Sequence, residues 1–378
     1  MTLHDIPTPS AILDAEIFER NCERMKGKAA GLGVALRPHL KTGKCLQMAL
    51  RQMTSPQGPA TVSTLREAEV FFAHGVTDLT YAVGITPSKL PRCKALIDAG
   101  CSLKVILDNA AAAKTVSAFC TREGVSIPVL IEIDSDGHRS GVPAGSPLLL
   151  EVASCLEGRA RLAGVLTHAG DSYKCQGAAC CIAAAENERA MAVLAAERLR
   201  AAGYAVPIVS VGSTPTAVFA RSLQGVTELR CGVYGTFDLV MAGIGACGVE
   251  DIALSLLVEV IGHQPEKGWI ITDGGWMALS RDRGTASQSM DQGYGLVCDI
   301  DGKLLDGLIV TAANQEHGII ARRDGGAADI SRFPVGSRLR ILPNHACAMG
   351  AQHPFYRVVR LGVEVVDTWE RFGGWYEC

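Results

Sequence analysis

The chain has 378 residues, of which 48% are hydrophobic and 20% charged, and its formal net charge is −3. This is the composition of an ordinary globular protein, long enough for two or three domains or for one barrel with an addition. The acidic balance, the 5% aromatic content and the lack of a basic stripe interleaved with aromatics exclude an electrostatic or base-stacking case for nucleic acid.

In chain order, the opening MTLHDIPTPSAILD has no basic segment followed by an apolar one, and no apolar run approaches a membrane span. A cytoplasmic protein is expected. The first 250 residues then alternate between two textures. VALRPHL, DLTYAV, SLKVILD, PVLIEID, LAGVLTHA and PIVSVGS are continuous apolar runs, as buried parallel strands should be. EIFERNCERMKGKAAGL, LREAEVFFAHG, NAAAAKTVSAFCTREG and AAAENERAMAVLAAERLRAAG are helical, several ending on glycine. At least six such units, with VTELRCGVYGTFD as a further strand, predict an α/β fold. A (β/α)8 TIM barrel over residues 15–248 is favoured over an open sheet, since no GxGxxG follows the first strand.

After about residue 250 the segments LSLLVEVIGHQ, GWIITDGGW, LVCDIDGKLL, GLIVTAAN, SRLRILPNHAC and YRVVRLGVEVVDTWE are strand-like and joined by turn signals such as DGK. They predict an appended antiparallel β domain, made of residues 1–14 and 249–378. The 14 cysteines are scattered, without a CxxC pair, and are expected to be small core hydrophobes of a reducing compartment and not a disulfide framework.

Several motifs carry chemistry. LRPHLKTGK, residues 36–44, places Lys41 near a strand end, with Arg37, His39 and Lys44 as neighbours. A lysine with a buried stem beside other cations is held neutral, as Schiff-base chemistry requires; a solvated lysine pair after a strand is the alternative. SVGSTPT offers Gly212, Ser213 and Thr214 at a strand-to-helix turn, and CGVYGTFD adds a second turn with Gly232, Val233 and Tyr234. Small residues with free amides and hydroxyls at such turns hold phosphate, though a plain capped turn reads the same. In DSDGHRSGV, Arg139 is placed to pair with a substrate carboxylate, with a cofactor's phenolate oxygen, or with Asp134 or Asp136. LTHAGDSYK brings His168 to a strand end with Tyr173 after it, to stack on a flat ring, act as acid or base, or fill the core. In PNHACAMG, an extended backbone would set His345 and Cys347 on one face, roughly 6.5–7 Å apart. Imidazole with thiolate is a zinc-type donor pair, and two protein ligands leave positions open as a catalytic metal needs. NQEHG adds Gln315, Glu316 and His317 as a substrate contact or a loop.

Together these segments resemble the pyridoxal-phosphate (PLP) enzymes with an alanine-racemase-like fold, in their D-serine dehydratase and D-threonine aldolase branch. The resemblance runs in order from TPSAILD through RPHLKTGK, VSTLREAE, EIDSDGHRSGV, THAGDSY, SVGSTPT and GVYGTFD to DGGWMALSRDRG, NQEHG and PNHACAMG. It implies that Lys41 carries PLP as a Schiff base and takes the Cα proton. It further implies that the turn of Gly212, Ser213 and Thr214 and the amides of Gly232 and Val233 hold the phosphate, that Tyr173 and His168 line the ring, and that His39, Arg139 and Tyr234 also stand at the cofactor. His345 and Cys347 would bind zinc or another divalent ion, and Arg139, Gln315, Glu316 and His317 would meet the substrate.

The activity implied is a dehydratase (ammonia-lyase) turning D-threo-3-hydroxyaspartate, D-serine or D-threonine into 2-oxo acids and ammonia. The alternatives are a D-threonine aldolase and, less favoured, a non-enzymatic PLP carrier. Aldolases of this family resemble Tyr-His-Gly where this chain has THAG, which puts Ala169 at the aldolase's base, and they carry His-x-Asp where this chain has His345 and Cys347. Arg139, Arg281 and Arg283 are candidates for a second substrate carboxylate. Many relatives carry histidine at Gly43. By analogy with this group, a homodimer acting on a small D-amino acid is expected.

Overall fold

The computed structural model describes residues 1–375, in two compact units. One unit holds Arg24–Gly232 and the chain from Gly373 on; the other holds Met1–Glu23 and Val233–Phe372.

In the first unit, eight parallel strands follow one another around a sheet: Ala35–Leu36, Ala60–Val62, Asp78–Gly84, Ser102–Leu107, Ile127–Asp134, Ala160–Thr167, Ile208–Val211 and Glu228–Leu229. Glu228 pairs with Ala35, and a parallel bridge joins His39 to Thr61, so the sheet closes on itself. The apolar runs are buried inside it: Val105, Val129, Val165 and Val209 are inaccessible to solvent. The predicted helices form where their end signals stand. Thr64 accepts from the Glu67 amide and caps Leu65–Ala73. Asn109 caps Ala110–Glu123, which ends on Gly124 in the left-handed region at φ +68°. The (β/α)8 barrel is thus present.

The barrel's first strand leads into Arg37, which is buried. Its Nε donates to Glu228 at 2.8 Å and its two terminal nitrogens grip Asp78 at 2.8 and 3.2 Å. Lys104 meets the same Asp78 at 2.7 Å. These ions tie the first, third, fourth and last strands together.

In the second unit a six-stranded antiparallel barrel closes in the order Leu254–Gln264, Trp269–Thr272, Gly318–Arg322, Leu304–Ala313, Gly295–Cys298, Arg338–Pro343 and back to the first. Ser10–Asp14 extends it, antiparallel to Leu254–Gln264 and parallel to Phe355–Val359, which Val365–Glu370 then flanks. Leu3, Ile6, Ile12, Leu257 and Val359 form one core cluster beneath this extension. The appended antiparallel domain is therefore observed as a closed barrel.

One expectation is corrected. Cys175 and Cys180 form a disulfide, their Cα atoms 5.5 Å apart. The short loop between the turn Gly170–Lys174 and the helix Ala178–Ala201 brings the two within bridging distance. The other described cysteines form no disulfide and are mostly buried. Among the described residues, no helix is long and apolar enough to cross a membrane.

Candidate active site

Lys41, His168, Gly212 and Gly232 each lie just beyond the carboxyl end of a barrel strand, the end at which βα-barrel sites gather. The cationic run around Lys41 divides its residues by partner. Arg37 is engaged in the strand-tying network described above. Lys44, at φ +44°, is buried with its ammonium 3.2 Å from Glu67 and 5.1 Å from the Trp375 ring centre. Lys41 is exposed and has no ion-pair partner among the described residues. The expectation of a buried lysine stem is corrected: the Lys44 amide closes a turn onto Leu40 O, and that turn buries Lys44 and leaves Lys41 open. At Gly43, a Cβ would meet the Met48 sulfur at 2.8 Å, so this chain fills with methionine the space a larger residue would need.

Two imidazoles lie in the field of Lys41. His39 Nε2 is 3.4 Å from Ser63 Oγ, and its Nδ1 is buried without a partner among the described residues. Burial first, then the charges of Lys41, Arg230 and His168, hold its pKa well below the usual value. His168 Nδ1 lies 2.9 Å from Gly212 O, which makes it the donor. Burial pushes His168 down to about 3; Lys41 and Arg230 act in the same direction, and the bond to Gly212 offsets only part of it. Both rings are therefore neutral, and the Nε2 of His168 is an acceptor. Tyr173 stands beside His168, ring centres 6.1 Å apart at an interplanar angle of 49°.

The turn after Ile208–Val211 is divided in the same way. The Gly212 amide donates to Glu188, and the Ser213 amide to Thr216 Oγ1. Ser213 Oγ accepts the Thr216 amide as a helix cap and lies 2.7 Å from Ser172 Oγ. Thr214 Oγ1 is buried and finds no partner among the described residues, and its amide, at the first helical position, has no intrahelical one. Of the three residues of this turn expected at a phosphate, only Thr214 keeps its donors unengaged among the described residues. At Gly232 an added Cβ would meet His39 O at 2.9 Å, so the two strand-end loops touch through backbone. Val233 and Tyr234 open a 3-10 turn in the other unit, with Tyr234 fully buried. Arg139 pairs with neither Asp134 nor Asp136, whose carboxylates take loop amides. Its side chain is 65% exposed and its nearest acidic oxygen, on Glu132, is 3.9 Å away.

In the β unit, PNHACAMG does not extend its strand. The strand stops at Pro343, His345 becomes a helix N-cap, and Cys347 falls inside the helix Ala346–Gly350. The cause lies in buried acceptors: Asp238 takes the Ala346 amide at 3.0 Å, and Asn344 is bonded to Thr285, Asp282 O and Gly293 O. The alanine-rich run then winds. His345 and Cys347 are nevertheless brought together. Burial opposes a charge on His345, but its side-chain bonds with Asp282 and Cys347 push it up to about 11. Asp282 takes Nδ1 at 2.7 Å, which leaves Nε2 as the nitrogen for a metal, the usual carboxylate-histidine arrangement. Among the described residues no third His, Cys, Asp or Glu joins the pair. The donor set fits an open zinc-type site with water or substrate in the remaining positions.

Gln315, Glu316 and His317 form an exposed hairpin turn, which His317 O closes onto the Asn314 amide. Arg283 is paired with Asp291 at 2.7 Å, and Arg281 stacks on Trp276 at 4.6 Å.

Sequence reasoning missed Asp238, Asp282 and Glu188. A signal existed for Glu188: the buried stripe of its helix runs Cys181, Ala185, Glu188, Ala192, Ala195 and Leu199. A carboxylate on an apolar stripe must have partners.

Comparison with known proteins accounts for both units. Residues 13–239 match the alanine racemase N-terminal domain, and residues 253–359 the putative serine dehydratase domain. The chain is 55% identical over 99% of both chains to D-threo-3-hydroxyaspartate dehydratase of Delftia sp. (strain HT23), whose solved structure superimposes at a TM-score of 0.96, covering 99% of this chain and 100% of that one. It is 27% identical to the D-serine dehydratase of Dictyostelium discoideum, over 99% of this chain and 98% of that one. It is 30% identical to the D-threonine aldolase of an Arthrobacter species, over 97% of this chain and 92% of that one. The chain therefore belongs to the alanine-racemase-like family, in the group that joins this barrel to a serine dehydratase domain.

Proposed function

We propose that the chain is a PLP- and zinc-dependent dehydratase converting D-3-hydroxy amino acids to 2-oxo acids and ammonia. One observation carries the reading: of the cations Arg37, Lys41 and Lys44, only Lys41 is exposed at a barrel strand end with no ion-pair partner among the described residues. An amine so placed is the one able to react with an aldehyde. The whole-chain likeness to a D-threo-3-hydroxyaspartate dehydratase supports the substrate class. A solved cysteine-to-alanine mutant of D-threo-3-hydroxyaspartate dehydratase, 54% identical to this chain, is in the metal-free form, which supports a cysteine ligand here.

When bound, PLP supplies an electron sink for charge at Cα, and the divalent ion a Lewis acid for the departing hydroxyl. Lys41 holds the cofactor and takes the Cα proton. Thr214 donates to the phosphate, and neutral His168 and Tyr173 line the ring. His345, oriented by Asp282, and Cys347 hold the ion. Loss of water followed by hydrolysis of the enamine gives the 2-oxo acid and ammonia. We place the enzyme in the cytoplasm as a homodimer, the first because the described cysteines other than Cys175 and Cys180 form no disulfide, and the second by analogy with its group.

The likeness to a D-threonine aldolase makes retro-aldol cleavage the second reading. That reaction needs a base at the β-hydroxyl. The resemblance puts Ala169 at the place of that base; it is buried, with its amide bound to Glu188 and a methyl that cannot accept a proton. Incubation with D-threonine separates the two: 2-oxobutanoate and ammonia are expected, and glycine with acetaldehyde would overturn the proposal.

A further inference from the structure

Glu188 lies on the long helix Ala178–Ala201 and is 2% exposed. Its Oε1 accepts the amides of Ala169 and Gly212, each at 3.0 Å, and its Oε2 accepts the Thr216 hydroxyl at 2.6 Å. Three donors thus converge on one carboxylate from two strand-end loops and the helix after the second. The contact with Thr216 orders a longer chain. With its proton given to Glu188, Thr216 Oγ1 is an acceptor, and it takes the Ser213 amide at 3.1 Å. Ser172 Oγ donates to Ala169 O at 2.7 Å, so its bond with Ser213 Oγ, also 2.7 Å, takes its proton from Ser213. Ser172, Ser213 and Thr216 are all buried, and every proton in the chain has an assigned acceptor. Thr214, wholly buried between Ser213 and Thr216 in sequence, is outside the chain and has a hydroxyl with no partner among the described residues.

We propose that Glu188 is a positioning residue for the cofactor's phosphate: by holding the Gly212 amide and directing the Thr216 hydroxyl it fixes the turn on which Thr214 is the donor left unengaged. The inference rests on the PLP reading above. Burial raises the pKa of Glu188, against which the Thr216 hydroxyl, the two amides and the charge of Arg230 all act. Glu188→Gln tests the direction of the chain with little change of volume. The amide oxygen still accepts both backbone donors, but its NH2 now faces Thr216, which must accept and turn its proton toward Ser213.

The experiment titrates the full chain, stripped of cofactor, with pyridoxal 5′-phosphate and separately with pyridoxal, following the visible absorbance. E188Q should weaken binding of the phosphate-bearing aldehyde about tenfold or more, on the order of one hydrogen bond to a charged group, and leave pyridoxal unchanged. Thr216→Val should do the same, and the double variant should be no worse than T216V alone. Equal PLP affinity in E188Q and wild type would overturn the inference, as would parallel loss of both ligands. Should E188Q not fold, T216V decides by the same comparison. A wild-type chain that binds neither aldehyde would instead overturn the PLP reading itself.

Discussion

Glu67 is inaccessible to solvent, and its carboxylate accepts the Ser63 amide at 3.1 Å as well as facing the Lys44 ammonium. Removing one member of a buried pair strands the other charge, at about 3–5 kcal/mol. Glu67→Ala should therefore lower the unfolding free energy measured by urea denaturation by an amount in that range. Lys41→Ala, at an exposed position with no ion-pair partner among the described residues, should change that free energy by no more than about 0.5 kcal/mol while abolishing turnover. His168 gives a pH dependence. Its pKa in the fold, about 3, lies below the ordinary 6.5, so between those values the unfolded chain binds the extra proton. Stability is then complete above pH 6.5 and falls as pH drops toward 3, by up to about 1.4 kcal/mol per pH unit. In cofactor-free protein, His168→Gln should show a smaller fall between pH 7 and 5 than wild type; an equal fall would contradict the assignment. At this scale the sequence identified the reactive types but not their surroundings. Lys41 and Lys44 are alike as letters, and only the turn closed on Leu40 separates the exposed amine from the buried one.

At the scale of elements, Gly212 occupies φ +150°, and a Cβ there would lie 2.1 Å from Arg230 O on the neighbouring strand's end. Gly212→Ala must part the two backbones or move the turn, costing at least about 1–3 kcal/mol and disturbing the Glu188 and Thr216 contacts. Thermal unfolding measures the first effect and a PLP titration the second. A smaller loss, about 1 kcal/mol, is expected from Thr64→Ala, which removes one helix cap. Element types were largely legible because the two signals agreed: apolar runs where strands are buried on both sides, and caps or glycines where helices begin and end. Where tertiary acceptors decided, pattern failed. His345 and Cys347 read as alternate residues of a strand, but the buried Asp238 carboxylate captures the Ala346 amide and starts a helix there. The Ser213 hydroxyl is engaged by Ser172 and the Thr216 amide, the first a contact between distant segments that pattern does not show.

For the molecule as a whole, both units announced themselves through texture, repeated βα alternation followed by short strands with turn signals. What texture could not carry was closure of each sheet, which depends on contacts between distant segments such as Glu228 with Ala35 and Leu254–Gln264 with Trp269–Thr272. The likeness to a D-threo-3-hydroxyaspartate dehydratase over the whole chain predicts that kcat/KM will be higher for that substrate than for D-serine or D-threonine, a ranking steady-state kinetics would check. The account turns most directly on Lys41. Purified protein reduced with borohydride in the presence of PLP, digested and mapped by mass spectrometry, should carry the pyridoxyl label on the peptide at Lys41 and lose it in Lys41→Ala. A label on Lys44 instead, or trapping that survives in Lys41→Ala, would contradict it.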